Sequence, residues 1–258
     1  MNNICLKTYH QGTVFVVSDA HLGVPGPAQS LEREKQLVHW INTVAPQAQA
    51  IVLLGDVFDF WYELKQAVPR GYSRLLGCLS HWTDQGLPIH FFPGNHDMWT
   101  YGYLATECGL QVHHQGEFWN LGGRTFFLAH GDGLGPGDHS YKIFKRIFRS
   151  SFFRWCFSRL HPNFSFALAQ YLSRRSRAAH AESERHFLGE DREWLYQYAL
   201  QQSSAFPGTD FVFGHRHLPS IHPLPHGCRY INTGDWLSHF SYLKIQQGQV
   251  ELCYWNAP

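Results

Sequence analysis

Charge is scarce in this 258-residue chain: 16% of its residues are Asp, Glu, Lys or Arg, against roughly a quarter in globular chains. With 44% apolar residues, that balance excludes disorder, which needs low hydrophobicity and high net charge. Long apolar runs are also missing. None approaches the roughly 18 residues of a membrane-spanning helix. The stretch from Met1 to Lys7 lacks a charged and then apolar leader, so no signal peptide is expected. The six cysteines form no Cys-x-x-Cys pair, and their spacings match no zinc module. Reduced, mostly buried thiols in a cytoplasmic protein are the expectation. No internal repeat or low-complexity linker divides the chain, which reads as one domain over residues 1–258.

One further absence is local. No Asp or Glu falls between Asp138 and Glu182, and nine Lys or Arg lie between Tyr141 and Arg177. The net charge of +1 therefore hides a basic block on an acidic body, which suggests an anionic partner at one place.

What the sequence does contain is a recurring pattern. Short apolar runs at 13–17, 50–54, 89–92, 125–128 and 210–213 each end in a polar cluster. Runs of this length read as buried strands. Helical spacing is found over 31–44, with Ser30 as N-cap, and over 72–83 and 192–202. Alternation of strand and helix is the signature of an α/β fold. In such sheets ligand sites gather beyond the C-terminal strand ends. After Gly131 the alternation stops until Asp210, and this stretch reads as a helical insertion. A hairpin-like tail follows, with strands expected at 229–232, 241–246 and 249–255.

The strand ends carry Asp19, His21, Asp56, Asn95, His130, His215 and His217. Carboxylate, imidazole and amide oxygen are donors for divalent ions, and seven donors suffice for two adjacent ions with one shared carboxylate. Asp19 and His21 are two apart, as are His215 and His217. Strand alternation is expected to aim both members of each pair the same way. Asp235 also follows a strand, and there a turn residue is the expected reading.

The set Asp19-x-His21, Gly55-Asp56, Gly94-Asn95-His96-Asp97, His130-Gly131-Asp132 and Gly214-His215-x-His217 resembles the calcineurin-like metallophosphoesterase superfamily in order and spacing, from about Val14 to Asp235. The resemblance implies an αββα sandwich. It implies one metal held by Asp19, His21, Asp56 and His217, and a second held by Asp56, Asn95, His130 and His215. It also implies catalysis by His96 beside the phosphate, with Asp97 orienting it through a hydrogen bond. Asp59 and Asp132 are further supporting candidates. Two divalent ions are implied, Mn2+ by analogy, with Zn2+ or Fe also suited to these donors.

Within the insertion, nine cations accompany ten aromatics, and Phe144, Phe148 and Phe152 are spaced to share a helix face. Three readings fit: an interfacial amphipathic helix, a cap helix packed on the domain, or a nucleic-acid surface. Gly55-Asp56-Val57-Phe58-Asp59-Phe60-Trp61, Gly94-Asn95-His96-Asp97 and His130-Gly131-Asp132-Gly133-Leu134 resemble the UDP-2,3-diacylglucosamine diphosphatase family of lipid A synthesis. That family has Arg in many members where this chain has His96. The resemblance implies a helical cap at about 138–190 that holds acyl chains. It implies hydrolysis of a lipid-linked UDP-sugar to UMP and 2,3-diacylglucosamine 1-phosphate. It also implies a cytoplasmic protein, peripheral to the inner face of the cytoplasmic membrane and drawn to its anionic surface. Asp138, Arg177 and His180 are the implied substrate contacts, and Trp61 could line the pocket or serve the core. No nucleic-acid or protein partner is expected. The alternative is a soluble metallophosphodiesterase or nuclease with the same metal site and another phosphoester.

Overall fold

A computed structural model describes residues 6–136, 139–148, 150–161, 163–165, 167–168, 171 and 186–256. Asp138, Arg177 and His180 lie outside the described residues.

Two six-stranded mixed sheets carry the fold. One contains β2 (Thr13–Val17), β3 (Ala48–Leu53), β4 (Ile89–Phe91) and β5 (Gln111–Val112) as a parallel set, with β11 (Ser241–Gln246) and β12 (Gln249–Tyr254) added antiparallel on the β2 side. The other runs in the order β1 (Lys7–Tyr9), β6 (Glu117–Leu121), β7 (Arg124–Ala129), β8 (Thr209–Phe213), β10 (Arg229–Asn232), β9 (Ser220–Pro223). The expected tail is therefore split. β10 joins one sheet beside β8, and the β11–β12 hairpin joins the other.

Why the central strands are apolar throughout follows from their alternation, because each strand has core on both faces. On β2, Val14 and Val16 pack between the sheets, while Phe15 and Val17 face the helices α1 (Pro27–Val44) and α2 (Ser73–Asp84). On the opposite sheet, Phe126, Leu128 and Val212 enter the same inter-sheet core. Phe127, Phe211 and Phe213 turn the other way, toward the helix Trp194–Ser203. The result is the expected four-layer α/β sandwich.

Two local expectations are corrected. The first helix starts at Pro27 with Gly26 as its N-cap. Ser30 lies inside it, and its hydroxyl accepts a hydrogen bond of 2.7 Å from the Gly23 N–H. The second concerns the segment between β7 and β8. Its first part contains α4 (His139–Phe148) and α5 (Ser151–Ser158), with Ser150 capping α5 by accepting from the Phe153 N–H. The break between them means that Phe148 and Phe152 do not share one helix face. Instead Phe148, Phe153 and Phe157 pack with Phe60, Tyr62, Met98 and Trp99 of the sandwich. The side chain of Phe144 lies outside the described residues. With α3 (Tyr103–Thr106), the helix Trp194–Ser203 becomes α6 in chain order.

Candidate metal centre

The C-terminal ends of β2, β3, β4, β7 and β8 meet at one edge of the sandwich. Asp19, His21 and His217 form one cluster there, and Asp56, His130 and His215 a second, with donor atoms within 4.8 Å of one another in each. Asn95 joins the second cluster, its Oδ1 3.3 Å from His130 Nε2. All seven expected donors are thus brought together. Oδ2 of Asp56 stands between the two groups, 3.3 Å from His130 Nε2 and 3.8 Å from His21 Nε2.

Strand alternation does not produce this convergence. Asp19 and His21 lie beyond the end of β2, and His215 and His217 beyond β8. All four, and Asp56, adopt left-handed backbone conformations with φ between 41° and 66°. Non-glycine residues rarely take this conformation, and it concentrates at functional sites. The backbone turns each donor inward, and ties such as Asp19 N–H to Gly55 O and His21 N–H to Asp56 O hold the turns. Gly94 shows how tight the packing is: a Cβ there would lie 2.2 Å from Asp56 Oδ1 and 2.7 Å from His130 Nε2.

Several of the candidate donors are also oriented from behind, and for the imidazoles this fixes the nitrogen that faces the centre. His130 Nδ1 donates to the Leu54 carbonyl at 2.9 Å, leaving Nε2 toward Asp56. His217 Nδ1 lies 3.2 Å from Asp235 Oδ2. Asp235 is buried, and its other oxygen accepts from the N–H groups of Leu237, Ser238 and His239. It is therefore a positioning residue and more than the expected turn. Its position after β10, which pairs in parallel with β8, was the available signal. Asp19 Oδ2 accepts from the His215 N–H at 2.9 Å and from the Ser18 hydroxyl.

His96 lies at the same centre. Its Nε2 is 4.0 Å from Asp56 Oδ2, and its N–H donates to Asp56 Oδ1 at 2.8 Å. Its Nδ1 donates to the carbonyl of Asp59 at 2.8 Å. The orienting role expected of Asp97 therefore belongs to Asp59. The Asp97 carboxylate accepts from the N–H groups of Gly94, Val57, Asp56 and Phe58 and so ties the loops after β3 and β4 together. Asp59 also places a carboxylate oxygen 3.6 Å from His21 Nδ1. Asp132 pairs with Lys145 of α4 at 2.5 Å. Trp61 is core: it is fully buried, stacks on Phe58 and donates to Glu63.

The electrostatics suit cations. Burial alone would lower the imidazoles of His21 and His130, but carboxylates outweigh it. Asp19, Asp59 and Asp56 raise His21 to about 10, and Asp56, Asp19 and Asp132 raise His130 to about 10. Burial would raise the carboxyl of Asp19, yet His217, His21 and His130 hold it at about 2. Carboxylates packed this tightly stabilise positive charge, whether proton or metal. Among the described residues, Asp19 Oδ1 is buried without a hydrogen-bond partner. It lies 3.5 Å from His217 Nε2 and 3.8 Å from His21 Nε2. These separations are too long for hydrogen bonds and suit donors that share an ion at about 2.0–2.2 Å. The donor set fits two divalent ions.

Paired Asp, Asn and His clusters joined by one carboxylate at the ends of two packed sheets define a metal-dependent phosphoesterase. The chain belongs to the calcineurin-like phosphoesterase family, whose profile matches residues 12–248. Among curated relatives, a protein from Porphyromonas gingivalis named UDP-2,3-diacylglucosamine hydrolase is 38% identical over 89% of this chain and 92% of its own length. Proteins of the same name from Histophilus somni and Shewanella pealeana are 25% and 26% identical, over 90% and 93% of this chain and 95% and 96% of theirs. Among solved structures, a phosphoesterase from E. coli aligns with a TM-score of 0.44 at 15% identity, over 95% of this chain and 100% of the other. The resemblance read from the motifs is borne out by the family profile and the curated relatives.

Proposed function

We propose that this chain hydrolyses the pyrophosphate of UDP-2,3-diacylglucosamine to UMP and 2,3-diacylglucosamine 1-phosphate. The observation that carries the chemistry is the meeting of two donor clusters at Asp56 Oδ2. The substrate class rests on the name shared by the relatives. Asp19, His21, Asp56 and His217 would hold one ion and Asp56, Asn95, His130 and His215 the other, Mn2+ being the proposed metal. Ions bound there would supply Lewis acidity and would activate water as a nucleophile at neutral pH.

The chain's own residues do the rest. Leu54, Asp235 and the left-handed turns fix the donors before substrate arrives, so no reorganisation is needed as charge develops. Water adds across one P–O–P link: one P–O bond forms, the anhydride P–O bond breaks, and the departing phosphate takes a proton. His96 keeps its Nδ1 proton on the Asp59 carbonyl and turns Nε2 toward the centre. Burial lowers its pKa. An anionic phosphoryl group opposite Nε2 favours the doubly protonated ring, which then donates to a phosphoryl or leaving oxygen.

Helices α4 and α5 belong to the proposed cap at about 138–190. Phe152, Trp155, Phe164 and Tyr171 are exposed there, together with Arg146 and Arg159. Aromatic surface beside cations suits acyl chains and an anionic lipid surface, which supports action at the inner face of the cytoplasmic membrane. Among the described residues no helix is long and apolar enough to cross a membrane. The test is UMP release in the presence of Mn2+. The diacylated substrate is turned over, and UDP-N-acetylglucosamine is turned over far more slowly. Equal turnover of the two would overturn the lipid assignment.

A further inference from the structure

On the His130 side of the metal centre a cavity of about 210 Å³ opens, walled by Phe92, His113, His114, Gln115 and Lys145. The reaction above assigns it no role. His96 stands elsewhere, grouped with His21 and Asp59. The cavity is smaller than the roughly 300–1,000 Å³ of drug-sized sites, which is too little for two acyl chains and appropriate for one ring and a sugar.

Its wall is unusually fixed. The ring of His113 lies against Phe92 with centroids 4.6 Å apart and planes within 16°. Its Nδ1 is 2.7 Å from Glu117 Oε1, and its Nε2 is 3.0 Å from His90 Nδ1. His90 is fully buried and is itself held, its Nε2 2.7 Å from the Tyr9 hydroxyl. With both nitrogens engaged, His113 offers the cavity an aromatic surface rather than an acid or base. Next to it Gln115 supplies an amide, a donor and an acceptor side by side, which matches the C=O and N–H edge of a pyrimidine imide. Lys145 places an ammonium on the far wall, with two of its donors on Asp132 and the cavity floor running to His130.

We propose that this cavity is the subsite for the nucleoside half of the substrate. The base lies on His113, which the buried Phe92 backs, with its edge on Gln115, and its phosphate reaches the cluster of Asp56 and His130 past Lys145. The proposal rests on the reading that the substrate is a nucleoside diphosphate ester, and it names where that half binds. The competing account is structural: Tyr9 and Glu117 lie in one sheet and His90 in the other, so the network could serve only to clamp the sheets.

Calorimetric titration of the Mn2+-loaded full chain with UMP, and separately with inorganic phosphate, decides between them. Phosphate reaches only the metal centre, whereas UMP fills both. UMP is expected to bind at least about tenfold more tightly than phosphate, the size of one base–aromatic stack. Gln115→Ala and His113→Leu should each weaken UMP by about five- to tenfold and leave phosphate within twofold. Gln115 is exposed, so its variant folds even where His113→Leu does not. UMP binding no tighter than phosphate, or Gln115→Ala with unaltered UMP affinity, overturns the subsite. The lipid reading fails separately: a chain that binds UMP tightly but releases none from the diacylated substrate keeps the subsite and loses that substrate.

Discussion

His130 is held by a backbone carbonyl behind it and faces a carboxylate in front; His217 has Asp235 behind it and Asp19 in front. Helix α5 is anchored differently. It meets the sandwich through Phe153 and Phe157 on Tyr62 and Trp99, and through the hydrogen bond from Tyr62 to the Arg154 carbonyl. Its opposite side leaves Phe152 76% and Trp155 55% exposed. One region is fixed by directional bonds to atoms that cannot be exchanged. The other is held by apolar contact, which accepts many residues of similar size. The proposed chemistry therefore belongs to the first, and the proposed adaptation to a substrate's shape and surroundings to the second.

The comparison can be broken most easily at the centre. Asp56→Asn removes the shared carboxylate and should lower turnover by about 10³-fold or more, with loss of metal measured by atomic emission. His96→Gln should lower turnover by about 10²-fold while leaving the metal content of the purified protein unchanged. A loss of metal would instead make His96 a ligand. Asp235→Asn acts one step further out. It should weaken metal binding by about 10–100-fold, read by chelator competition, with the fold intact by circular dichroism.

The helical segment should respond in stability and surface binding instead. Phe157→Ala empties a nearly buried site and should cost about 3 kcal/mol, read by urea denaturation. Metal affinity, which depends on none of those contacts, should not change. The smallest effect on stability belongs to Phe152→Ser with Trp155→Ser, within about 0.5 kcal/mol. Binding to vesicles containing anionic lipid should nevertheless fall several-fold for that pair. Unchanged vesicle binding would leave the exposed aromatics without the membrane role proposed for them.

The same division explains what could be read from the sequence. Asp19, His21, Asp56, Asn95, His130, His215 and His217 were legible because two-metal chemistry demands those atom types at successive strand ends. Strand alternation does not account for their convergence, since five of them turn inward through left-handed φ that no spacing rule reveals. Asp235 was missed because one carboxylate after a strand looks like a turn. Asp97 was given a task that the Asp59 carbonyl performs, because backbone acceptors carry no sequence signal. The central strands stood out by their unbroken apolar runs. By contrast β1, β5, β6 and β9 are edge or near-edge strands, with polar residues on half-exposed faces and little contrast. In the insertion only composition was informative, so the break between α4 and α5 went unseen.

The central claim is a two-ion centre joined at Asp56, and anomalous diffraction from Mn2+-loaded crystals tests it most directly. The account predicts two ions about 3.5–4 Å apart, one among Asp19, His21 and His217 and the other among Asn95, His130 and His215, with Asp56 bound to both. A single ion, or an ion held by His21, Asp59 and His96, the third group whose donor atoms lie close enough, would contradict it.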